Sequence, residues 1–90
     1  MSNFNIMFEA AEKAGSDAVQ NAFENCFEEA KNDYRQLTDL SLFLDSKIDE
    51  HKDVNTDLEK VYAMAWAEVD SYSCDNLKGA ELKYYLRSTD

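Results

Sequence analysis

The sequence has no proline, only two glycines and one histidine, and nine basic residues stand against nineteen acidic ones. Each shortage excludes something. An all-β domain needs Gly and Pro at its tight turns, whereas helices tolerate their absence. A net charge of −10 leaves too few clustered Lys and Arg to hold nucleic acid through its phosphates or to dock on an anionic membrane. No apolar run approaches the ~20 residues of a membrane span. Met1 to Phe8 lacks the basic start of a signal peptide, so the expected location is cytoplasmic, with Cys26 and Cys74 as free thiols.

Metal and catalytic chemistry are equally short of residues. Two cysteines in no CxxC spacing, and a lone His51 in no HxxxH or Glu-x-x-His pattern, do not build a zinc or di-iron site. Asp49 to Lys60 lacks the central Gly and the oxygen spacing of a calcium loop. His51 fits a helix C-terminus, where a cation is favoured. No metal, no cofactor and no catalytic residue is expected, and the chain reads as a non-enzyme.

What the sequence does have is apolar residues at helical spacing, 44% of the total, with five Phe, five Tyr and one Trp. That is too much for a disordered chain. Phe4, Met7, Phe8, Ala11 and Ala14 make a stripe for a first helix over about Asn3 to Ala14, capped by Ser2 or Asn3 and closed by Gly15. Ser16 is placed as the next N-cap. From there to His51 the stripe Phe23, Phe27, Ala30, Tyr34, Leu37, Leu44 and Ile48 steps by three, four or seven, which predicts one long central helix. Thr38-Asp39 offers the one place for a break. Thr56 and Glu59 match a capping box, so a further helix is predicted over Asp57 to Tyr72. Asp75 is placed to cap a last helix, Asn76 to Leu86, weakened by Gly79, with Ser88 to Asp90 frayed. The fold class is all-α: a small antiparallel hairpin or bundle of three to four helices in a single domain, 1–90.

Two features point outward. Leu40-Ser41-Leu42-Phe43-Leu44 is apolar on several helix faces, more than a two-helix hairpin covers. Either the short first helix lies across it or a second subunit does. A chain this short buries only about 60–65% of its unfolded surface, so a two-fold homodimer is expected, with Leu40, Leu42, Phe43 and Met64 in its interface. The second feature is acidity. Carboxylates recur four residues apart at Glu24/Glu28, Glu29/Asp33, Asp45/Asp49, Asp49/Asp53 and Asp53/Asp57, each pair on one face wherever a helix runs through it.

Glu24, Glu28, Asp45 and Asp49, together with the off-stripe Trp66, are the residues expected to meet a larger protein with a basic surface. Size, acidity and the missing catalytic set resemble the small accessory proteins of phages and mobile elements that bind and block a host protein. The function expected is therefore that of a binding module or inhibitor. One alternative is a nucleic-acid mimic, which needs its acids on one face. Lys31, Arg35, Lys47 and Lys52 interrupt such a face. Another is a small-ligand binder at a helical oligomer interface.

Overall fold

The computed structural model of the chain describes residues 4–89. Five helices follow one another: α1 Phe4–Ala14, α2 Ser16–Ala30, α3 Tyr34–His51, α4 Thr56–Asn76 and α5 Gly79–Thr89, with no strand among the described residues. The all-α class holds, but with five helices among the described residues where three to four were expected. The long central helix does not: residues 16–51 form two helices, and the break is at Lys31–Asp33, not at Thr38-Asp39. Asp33 takes an extended conformation and its side chain accepts from the Arg35 backbone N–H at 2.9 Å, which starts α3. Thr38 lies within α3, its hydroxyl donating to the Tyr34 carbonyl one turn back, at 2.9 Å.

Other boundaries shift for similar local reasons. Ser2 and Asn3, expected to cap α1, lie outside the described residues. Gly15, not Ser16, holds the N-cap position of α2, with φ 125° and ψ 175° and no side-chain cap. Asn55, not Thr56, caps α4; its Oδ1 accepts from the Leu58 N–H at 3.1 Å. α4 runs on through Asp75, with the Asn76 side chain donating to the Tyr72 carbonyl at 2.8 Å. The turn into α5 is made at Gly79, whose φ of 58° favours glycine. α5 then extends through Thr89, whose hydroxyl donates to the Tyr85 carbonyl at 2.8 Å.

The largest helix contact is between α3 and α4, antiparallel across the short 52–55 loop, where Asp53 adopts φ 63°. α2 packs on both of them, α5 packs mainly on α3, and α1 packs mainly on α2. One apolar cluster joins all five helices: Phe8, Val19, Phe23, Leu37, Leu40, Leu44, Tyr62, Val69 and Tyr85 are fully buried or nearly so. Most of it comes from the predicted stripes; Val19 and Leu40 were in none of them. Within the Leu40–Leu44 run the first helix covers Phe43, whose ring the Phe4 and Phe8 rings approach to 5.4 and 5.0 Å, while Leu42 stays exposed.

Candidate functional site

The expected self-association residues divide. Leu40 is fully buried and Phe43 is half-covered by α1, which removes both from the surface assigned to a second copy. Leu42 and Met64 remain exposed, at 43% and 70%, on α3 and α4.

The acidic residues divide too. On one flank of α4, Glu24 and Glu28 of α2 and Glu68 of α4 rim a depression also lined by Gln20, Asn25, Phe27 and Lys31. Its aromatic floor is ordered by packing. Phe27 stacks on the buried Phe23 at 5.3 Å and meets the edge of Tyr72 at 5.5 Å. The one cation there, Lys31, lies 4.6 Å above Phe27 and 5.4 Å above Tyr72, with its Nζ 3.4 Å from Glu28 Oε1. A cation held between aromatic faces and a carboxylate is the arrangement this surface favours.

Asp45 and Asp49 belong to the other flank. Asp70 lies about 200° from Glu68 around α4, at about 100° per residue, and its Oδ1 is 3.1 Å from the Tyr85 hydroxyl of α5. Ser41 Oγ of α3 is 3.2 Å from the same hydroxyl. Asp45 and Asp49 follow Ser41 at one-turn intervals, so they line the α5 side. Trp66, one turn before Asp70, is half-buried against the core there. Of the five expected partner-binding residues, Glu24 and Glu28 line the depression and Asp45, Asp49 and Trp66 do not. Burial, with Asp70 close by, pushes the Tyr85 hydroxyl up to about 12, against the Ser41 contact that lowers it.

A third constellation escaped the sequence patterns. Glu12 Oε2 of α1 accepts from the Tyr62 hydroxyl, lies 3.1 Å from His51 Nε2 and 3.7 Å from Lys47 Nζ. Lys47 also meets Glu50 at 2.8 Å, and the His51 ring stacks parallel on Tyr62 at 5.6 Å. Burial alone raises the Glu12 pKa, but the hydrogen bonds from Tyr62 and His51 and the Lys47 charge outweigh it and hold the carboxyl below its ordinary range. Burial and the Glu12 carboxylate raise the Tyr62 hydroxyl far above its ordinary value. This cluster bolts α1 to α3 and α4. The available signal was Glu12 itself, a carboxylate one turn beyond Phe8 at the edge of an apolar stripe.

Cys26 and Cys74 are both free, the first buried and the second exposed. Burial, helped by nearby acids, raises both thiol pKa values, which disfavours the reactive thiolate. No group of three His, Cys, Asp or Glu able to hold a metal occurs among the described residues, and no helix among them is long and apolar enough to cross a membrane.

No protein-family model matches the chain, no curated protein is similar to it, and no solved structure matches its fold. The functional reading therefore rests on the surface itself.

Proposed function

We propose that the chain is an acidic helical binding module that acts by occupying a larger protein with a basic surface, through the α2–α4 face of Glu24, Glu28 and Glu68 over Phe27. The carrying observation is the placement of Lys31. The protein's own cation already sits over Phe27 and Tyr72 and against Glu28. A Lys or Arg from a partner meets two further carboxylates, Glu24 and Glu68, at the rim and reaches the aromatic floor by displacing Lys31. Aromatic contact beside rim charge is the composition of a protein–protein interface. The division of the acids between two flanks of α4 favours this reading over a nucleic-acid mimic, which needs a continuous charged face. Catalysis and cofactors have no part in it, and Asp45, Asp49 and Trp66 lie outside the proposed face.

The test starts with a partner captured from host lysate and then purified. Glu24→Lys/Glu28→Lys/Glu68→Lys should weaken its binding by at least about a hundredfold, as like charge replaces complementary charge. Asp45→Lys/Asp49→Lys should change it by less than about threefold, within the scatter of rim charges. Wild-type affinity should fall as salt screens the contact. Equal losses in the two variants, or an affinity indifferent to salt, would overturn the assignment.

A further inference from the structure

Gly15 is the sole residue between α1 and α2. Its φ of 125° and ψ of 175° lie in a region essentially closed to L-residues with a side chain. Nothing lies within 4 Å of where a Cβ would stand, so the position needs glycine for its backbone and not for space. The helical ladder nearly closes across it. Gly15 N donates to the Ala11 carbonyl at 3.1 Å, and Val19 N to the Gly15 carbonyl at 3.2 Å. Only the first-turn N–H groups of α2 fall between, and no side chain caps them.

The apolar pattern ignores the break. Phe4, Phe8, Ala11, Gly15, Val19, Phe23, Cys26 and Ala30 are spaced by three or four throughout, with Gly15 itself on the beat. A straight helix from Phe4 to Ala30, roughly 40 Å at 1.5 Å per residue, would keep that stripe on one side. The stripe is thus compatible with a straight helix as well as with the bent pair. Meanwhile α1 reaches the α3–α4 hairpin through three side chains. Phe4 and Phe8 meet Phe43, Phe8 meets Tyr62 at 6.0 Å, and Glu12 meets Tyr62, His51 and Lys47.

We propose that Gly15 is the hinge of a reciprocal exchange between two copies of this chain. In the second form α1 and α2 straighten into one helix, and each copy lays Phe4, Phe8 and Glu12 onto Phe43, Tyr62, Lys47 and His51 of the other. The occupant of the groove is committed by its chemistry. An identical α1 reproduces every one of these contacts, including the three donors around Glu12. Straightening supplies the uncapped N–H groups with helical acceptors, at the cost of holding Gly15 in a helix interior, where glycine is disfavoured. What it gives up is the packing of α1 on α2, with the Cys26 Sγ to Met7 Sδ contact at 3.4 Å, together with the entropy of association, so the bent monomer prevails when dilute. The exchange leaves Glu24, Glu28 and Glu68 untouched, so it stands or falls apart from the proposed function.

The experiment is light scattering of three chains: wild type, Gly15→Ala, and a semisynthetic chain with D-alanine in place of Gly15. Alanine disfavours the bent hinge and favours the helix, whereas D-alanine accepts the positive φ. Gly15→Ala should dimerise about a hundredfold more tightly than wild type, tenfold for each of two hinges, giving twice the 10.3 kDa chain mass. The D-alanine chain should be at least as monomeric as wild type. Isotope-filtered NMR on a mixed-label Gly15→Ala sample should then place the Phe8–Phe43 contact between chains. A monomeric Gly15→Ala protein at about 100 μM, well above the dissociation constants of stable dimers, would overturn the proposal. So would a dimer whose Phe8–Phe43 contact stays within each chain.

Discussion

Glu12 places one oxygen, Oε2, among three donors from two helices. Removing that carboxylate strands the buried Tyr62 hydroxyl, so Glu12→Ala should destabilise the protein by about 2 kcal/mol. The charge has a pH signature. The folded pKa lies below the ordinary carboxyl value, so the stabilisation is complete above that ordinary value and disappears as pH falls through the folded one. Thermal melts between about pH 6 and pH 3 should show the wild type losing more stability than Glu12→Gln, which keeps an acceptor but does not titrate. Equal slopes would show that the carboxylate charge contributes nothing. The cluster was poorly legible beforehand because its members are 39 and 50 residues apart. His51 suits a helix end by local rules alone, and local rules say nothing of a carboxylate arriving from α1.

At the scale of the element, the caps decide where helices start. Asn55→Ala should cost about 1 kcal/mol, because Asn55 supplies the acceptor for the Leu58 N–H. Thr56→Ala, at the first helical position, should stay within about 0.5 kcal/mol. Urea melts of the two variants separate the assignments; the reverse order would return the cap to Thr56. The apolar stripes located the helices correctly as a class and placed the core residues Phe8, Phe23, Leu37, Leu44, Tyr62 and Val69. They missed the break at Lys31–Asp33 for a physical reason. Phe27, Ala30, Tyr34 and Leu37 keep steps of three and four across it, and periodicity reports which side faces the core, not whether the backbone is continuous. Asn32-Asp33 was the local signal, overshadowed by Thr38-Asp39, whose hydroxyl the helix itself satisfies. Whether the acidic pairs share a face was not legible either. Helical spacing pairs Glu24 with Glu28 and Asp45 with Asp49, but only the packing of α2 and α5 on opposite flanks of α4 separates the pairs.

Across the whole molecule, a net charge of −10 is met by few ion pairs: among the described residues only Lys31 and Lys47 pair with carboxylates, besides His51. Self-repulsion of this kind weakens the compact state and is screened by salt. The melting temperature should therefore rise as NaCl goes from about 10 mM to about 500 mM, where the Debye length shrinks from ~30 Å toward a few ångströms. A fall would mean that the Glu12 cluster outweighs the general repulsion. The tie between α1 and residues far along the chain also has a consequence in time. During synthesis Glu12 of α1 precedes His51 and Tyr62, which hold it, by 39 and 50 residues. At about 5–20 residues per second, α1 can pack on α2 early but waits several seconds for its partners on α3 and α4. α1 is thus complete well before the residues that fasten it to α3 and α4.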